Sequence, residues 1–258
     1  MPAFDNVNDD MMVMTTTGPG TFEFSAVKPE NLGASEYTIV TLAVDVSGST
    51  YDFINQVQAV VKTVIEACKK SPRSDNLLFR VITFNNSIVE VHGFKELHMI
   101  DIANYPTFNA HGMTALYDAS YSCIGAVLDL ADNLIQQDFS ANGIAFILTD
   151  GRDNASKQGP ESIKNLIDEA AKGEKIESMN TILIGEKDPQ VTSAEWANGT
   201  AKYLADFASE AGFTQYIDIG EITPGKLAKF ADFVSQSIST QSQGLGTGAP
   251  SKPVDLKF

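Results

Sequence analysis

Apolar and polar positions alternate irregularly up to residue 36 and regularly after it. The first stretch carries Gly18-Pro19-Gly20, a short alternation at Phe22-Glu23-Phe24, then Pro29 and Gly33. That pattern predicts a loose arm with one short edge strand. Residues 37–44 form a β-branched apolar run that stops at Asp45. Near-continuous apolarity over strand length predicts a strand buried on both faces of a parallel sheet. After Ser47-Gly48-Ser49-Thr50, the stripe Ile54, Val57, Val61, Val64, Ile65, Cys68 lines one face of a helix over about 51–70. Ser71-Pro72 ends it.

Residues 78–84 and 88–94 are predicted strands, and the link Asn85-Asn86-Ser87 is short enough to permit only an antiparallel hairpin. A loop over 98–113 leads to a second long helix, about 115–136, with Leu116, Cys123, Ile124, Val127, Leu128, Ala131, Leu134 and Ile135 on its buried side. A buried strand at 143–149 ends at Asp150-Gly151, and a helix at 160–172 and a strand at 179–185 follow. Ser193 reads as a helix cap ahead of Trp196, Leu204, Ala205 and Ala208. After a last strand at 216–219, Thr223-Pro224 opens a helix with Leu227, Phe230, Ala231, Val234 and Ile238 on one face. The Gly/Ser/Pro-rich end reads as a flexible tail. These elements predict an α/β fold: a doubly wound, mostly parallel six-stranded sheet, with one antiparallel edge strand and helices on both faces. The expected organisation is an arm at 1–36, one domain at 37–243 and a tail at 244–258.

Composition narrows this picture. With 258 residues, 43% of them hydrophobic, the chain can fill one sizeable core. Apolar runs such as 39–44 and 144–148 have strand length, far below the roughly 20 residues of a membrane helix. The opening MPAFDNVNDD lacks a basic start, apolar centre and small-residue cleavage site. The expectation is therefore a cytoplasmic protein, with a secretion route that needs no such signal as the alternative. Cys68 and Cys123 lie within apolar helical patterns, as buried reduced thiols do, and too far apart for a zinc site without nearby histidines. Eighteen basic residues against 33 acidic ones give a formal charge of −15, with no Lys/Arg cluster. That field argues against nucleic acid as a partner.

The candidate chemistry sits at strand ends, where open α/β sheets bind ligands. Three separate stretches bring oxygen there: Asp45-Val46-Ser47-Gly48-Ser49 after the first strand, Gly112-Met113-Thr114 before the second long helix, and Asp150-Gly151 after the central strand. Each alone is a weak signal. Together, in order and at the correct ends, they point to a hard divalent cation, for which hydroxyls and carboxylates on short side chains are fitting ligands. Asp45 and Asp150 supply charge, directly or through water, while Ser47, Ser49 and Thr114 ligate without neutralising the ion. Residual positive charge and an open position would then accept a carboxylate from outside.

The stretches VDVSGST, HGMTALYDA and ILTDGRDNAS resemble the three parts of the metal-ion-dependent adhesion site of the von Willebrand factor A family, over roughly 37–240. The resemblance implies direct metal contact by Ser47, Ser49 and Thr114, and mostly water-mediated contact by Asp45 and Asp150. It implies Mg2+, with Mn2+ or Ca2+ as alternatives, and a protein-binding module whose last helix often moves as a switch. GMTALYDA and VITFNNSIVEV look closest to bacterial and phage intracellular members, several of which partner AAA+ ATPases. The implied partner is a protein presenting an Asp or Glu carboxylate, an AAA+ ATPase among the candidates.

Competing readings are weaker. Asp45 and Ser49 alone could be helix caps. A haloacid-dehalogenase-type phosphohydrolase also sets a strand-end aspartate near Mg2+, but it needs a second acid two residues on, where this chain has Ser47. A serine hydrolase lacks its G-x-S-x-G elbow. Asp153 reads as a turn residue and His111 as a loop histidine bonded to backbone, while His92 and His98 receive no role. Asn85, Asn154 and Asn198 each start an N-x-Ser/Thr triplet, and all three read as chance matches.

Overall fold

The computed structural model describes residues 9–18, 20–187, 194–221, 223–245 and 254. The predicted cap at Ser193, the side chains of Trp196 and Leu227, and most of the tail lie outside them. The chain runs β1 (Met11–Thr15), β2 (Glu23–Val27), β3 (Glu36–Asp45), α1 (Ile54–Lys69), β4 (Leu77–Phe84), β5 (Ile88–Glu96), α2 (Leu116–Ile135), β6 (Ser140–Thr149), α3 (Pro160–Ala171), β7 (Met179–Lys187), α4 (Ala194–Ala211), β8 (Gln215–Glu221) and α5 (Pro224–Gly244).

The described strands join one sheet in the order β1-β2-β5-β4-β3-β6-β7-β8. The pairs β3–β4, β3–β6, β6–β7 and β7–β8 are parallel, and β4–β5 is the predicted antiparallel hairpin. The central strand β3 leads first to β4 on one side, and the chain later returns to β6 on the other. The order therefore reverses at β3, which opens a crevice at its carboxyl end. Asp45 closes β3 and Asp150 follows β6 directly, so both stand at this reversal.

Among the described residues the sheet has eight strands where the sequence pattern predicts six. Both additional strands come from the first 36 residues, where one short edge strand was expected. β1 pairs antiparallel with β2 over five positions, and β2 joins β5 at Ala26–Phe94. The antiparallel strand β5 is consequently internal, and β1 forms the edge. Gly93 is what admits β2: a Cβ there would lie 2.0 Å from Ser25 Oγ. β1 reads Met11-Met12-Val13-Met14-Thr15 and β2 Glu23-Phe24-Ser25-Ala26-Val27, so neither keeps through its length the apolar–polar alternation that marks a strand.

Two apolar layers flank the sheet. One packs α2, with residues from α3 and α4, against Ile39, Ala43, Ile147 and Leu183. The other packs α1 and α5 against Val40, Leu42, Val44, Phe146 and Ile184. Burying each large side chain contributes about 1.5–3 kcal/mol. α2 is buried on nearly all sides because the N-terminal segment crosses its outer face. There Thr17 donates its N–H to Asp129 Oδ2 at 2.7 Å and its hydroxyl to Oδ1 at 2.8 Å. Thr223 caps α5 as predicted, accepting from Lys226 N. Cys68 and Cys123 are free and buried, and burial pushes the Cys68 thiol up to about 12. No helix among the described residues is long and apolar enough to cross a membrane.

Candidate functional site

Two of the three predicted stretches meet through side chains. Ser47 Oγ lies 3.1 Å from Ser49 Oγ, and Ser49 Oγ donates to Asp150 Oδ1 at 2.9 Å. Ser47 turns back at the end of β3 because its N–H bonds the Asp45 carboxylate at 2.8 Å. The second Asp45 oxygen accepts from Thr149 Oγ1 at 2.6 Å. Asp45, Ser47 and Asp150 are buried, and Ser49 is exposed at the mouth. A two-turn 3-10 segment over Gly48–Phe53 carries Ser49 to that mouth before α1 begins.

The third stretch arrives through backbone. Gly48 N–H donates to Gly112 O at 3.0 Å, and His111 N–H to Val46 O at 3.0 Å. Gly112 sits at φ +82°, in left-handed space that favours glycine, and a Cβ there would meet Asn86 Oδ1 at 2.1 Å. Thr114 is buried, and its hydroxyl faces the Gly151 backbone: a Cβ on Gly151 would sit 3.6 Å from Thr114 Oγ1. The structure thus brings Asp45, Ser47, Ser49 and Asp150 into one hydrogen-bonded chain through Thr149 and Ser49, with Thr114 beside Gly151.

Several residues that hold this arrangement carry little signal in the sequence. Asn154 Oδ1 accepts the Thr114 N–H at 2.7 Å, and Asn154 N–H donates to Thr114 O at 3.0 Å. Asn85 Nδ2 donates to His111 O at 3.1 Å, and Asn85 O accepts from Ala115 N at 2.8 Å. Both asparagines begin triplets read as chance glycan matches, yet each ties one loop to another. Asn86 Oδ1 likewise takes the Met113 N–H at 2.8 Å.

Asp153 behaves as a local polar anchor. It accepts from Ser156 Oγ at 2.5 Å and from Tyr117 N in the first turn of α2 at 3.4 Å. The His111 ring bonds the Asn109 carbonyl at 3.0 Å, as expected of a loop histidine.

Glu186 is the residue that pattern reading missed most completely. It follows Gly185 near the end of β7 and is 4% exposed. Neither of its carboxylate oxygens has a hydrogen-bond partner among the described residues. Burial, then the neighbouring charges of Asp150 and Asp45, push its carboxyl well above the usual range. Burial also raises Asp45, against the lowering effect of its bonds from Thr149 and Ser47. Neither Asp45 nor Glu186 has a basic partner among the described residues.

The donor set suits a hard cation. It combines hydroxyls and buried acids, with no sulfur or imidazole. Among the described residues no three Asp, Glu, His or Cys gather closely enough to hold a metal by themselves, so the hydroxyls of Ser47, Ser49 and Thr114 would be essential to any coordination. Two large apolar side chains stand exposed beside these loops, Tyr51 at 72% and Met113 at 49%.

A family model for the von Willebrand factor type A domain matches residues 40–213. Among solved structures, the pilus adhesin SpaC from Lactobacillus rhamnosus GG in its open conformation superposes with a TM-score of 0.58 at 11% identity, covering 90% of this chain and 34% of that chain. The PilB minor pilin from Streptococcus sanguinis gives a TM-score of 0.55 at 14% identity, covering 87% of this chain and 66% of that chain. This chain therefore spans about a third of the SpaC chain and just under two thirds of the PilB chain, and at these identities the likeness is one of fold. A comparison with curated protein sequences gives no match.

Proposed function

Because this chain belongs to the von Willebrand factor type A domain family, we propose that it is a non-enzymatic protein-binding module that works through a bound divalent cation. Ser47, Ser49 and Thr114 would hold the ion, with Asp45 and Asp150 supplying charge directly or through water. The ion would be Mg2+, or Mn2+ or Ca2+ in its place. When bound, it supplies residual positive charge at the mouth of the crevice, able to capture a carboxylate of a partner protein. The chain's own residues orient the hydroxyls, exclude water from Asp45 and keep the three loops together.

The observation that carries this reading is the hydrogen-bonded series Ser47–Ser49–Asp150, at 3.1 and 2.9 Å, which links side chains from two distant stretches at the sheet's reversal point. The phosphohydrolase alternative finds no support: Ser47 occupies the place where that chemistry needs an acid, and its hydroxyl pairs with Ser49.

Calorimetric titration of the purified protein with MgCl2 and MnCl2 tests the proposal. One-site binding is expected, abolished by Asp45→Ala. No heat of binding, or binding indifferent to that change, overturns it. A pull-down in Mg2+ against EDTA, wild type beside Thr114→Ala, then reads the partner step.

A further inference from the structure

A carboxyl group removed from water without a hydrogen-bond partner is costly. Glu186 is such a group, and its place in the fold is specific. Leu148 of β6 pairs with Ile184 of β7, and both side chains lie in the layer that contains α1 and α5. The paired register ends at Thr149 and Gly185, so Asp150 and Glu186 are the next residue on each chain, and the charges of Asp150 and Asp45 both act on Glu186. Both are buried, at 3% and 4% exposure, and Asp45 is fully buried one strand further along. Three buried acids thus gather at the carboxyl ends of three neighbouring strands, although only two belong to the recognised motif.

We propose that Glu186 is a third acid of the cation site, lying behind the two aspartates, whose charge once a cation is bound tunes which cation the site holds and how tightly. This rests on the metal-binding reading given above. Glu186 acts from outside the ligand set, since among the described residues no three acidic side chains converge closely enough to coordinate an ion together. Its charge acts through a poorly screened interior, where electrostatic attraction falls slowly with distance and grows in proportion to the charge of the ion. The site then favours cations of higher charge more strongly than two aspartates alone would.

The experiment compares wild type, Glu186→Gln and Glu186→Val by titration with Mn2+ and with Tb3+ at fixed pH, with melting temperatures measured in EDTA. Gln keeps the shape and removes the charge, while Val suits an apolar wall should Gln fold poorly. Both variants are expected to weaken Mn2+ binding about tenfold and Tb3+ binding about thirtyfold, because the lost attraction scales with cation charge. Metal-free melting temperatures should rise, since an unpaired buried acid has gone. Unchanged Mn2+ affinity in both variants overturns the proposal while leaving the binding-module reading intact. Equal losses for the two ions, or a fall in melting temperature in both variants, assign Glu186 a structural role and also overturn it. Failure of the wild type to bind either ion removes both readings together.

Discussion

Ser49 Oγ donates to Asp150 Oδ1 at 2.9 Å across 101 residues of sequence, joining the loop after β3 to the loop after β6. Ser49 is exposed and contributes little to the core. Ser49→Ala should change metal-free stability by no more than about 0.5 kcal/mol, as for most surface substitutions. It should weaken Mg2+ binding about tenfold, which removes about 1.4 kcal/mol of the stabilisation given by excess ion. Melting curves with and without MgCl2 check both parts. An unchanged Mg2+-induced shift would show that this hydroxyl is no ligand.

Asn154 gives a second expectation. It clamps Thr114 from both sides, accepting its N–H at 2.7 Å and donating to its carbonyl through its own backbone. Asn154→Ala leaves the Thr114 N–H without that acceptor and should cost about 1–2 kcal/mol. Cation affinity should fall with it, although the residue is not proposed to touch the ion. Asn154→Asp restores an acceptor and should recover most of the stability in urea denaturation.

These two residues mark where the sequence was readable and where it was not. Long periodic runs such as 37–44 and the stripe from Ile54 to Cys68 announced β3 and α1, because burial over several turns or pleats repeats one pattern many times. Asp45, Ser47, Ser49, Thr114 and Asp150 stood out through their types and their positions at element ends. Asn154 and Glu186 did not, since their roles depend on which strand lies beside which. Glu186 becomes neighbour to Asp150 only once β7 is paired to β6 in register. β1 and β2 were hidden for a related reason. Their five-residue strands are held by long-range contacts, such as Thr17 with Asp129, that no local pattern records.

Arg80 carries a stability prediction. It is buried, bonds Glu90 through Nε at 2.7 Å, and packs against the rings of both Phe24 and Phe94, each centroid 5.7 Å away. Glu90 also accepts the Ser25 hydroxyl at 2.5 Å, so the pair secures β2 against the sheet. Arg80→Met strands a buried carboxylate and should cost about 3–5 kcal/mol. Combined with Glu90→Gln, which removes the charge but keeps an acceptor for Ser25, the loss should shrink by about half. A urea-denaturation double-mutant cycle measures the coupling. Simple additivity would mean that the ion pair is not what holds β2 in place.

His92 supplies a pH dependence. Its ring is buried near Phe79 and Tyr105, with centroids at 6.5 and 5.8 Å, and Nδ1 bonds the Gly93 carbonyl at 3.0 Å. Burial, reinforced by Lys95 and Arg80, holds its pKa down at about 3, against 6.5 for a free histidine. Between these values the unfolded chain binds a proton that the folded chain refuses. Stability must therefore rise with pH across this window and fall as the solution is acidified below 6.5. At pH 4.5 the loss from this one group is on the order of 2 kcal/mol. His92→Phe keeps an aromatic ring among aromatic neighbours and removes the titration. Urea denaturation at pH 7.5 and pH 4.5 should show a smaller acid-induced loss in the variant than in the wild type. If the two proteins lose equal stability on acidification, His92 takes up its proton in the folded state and the buried ring is not the source of acid sensitivity.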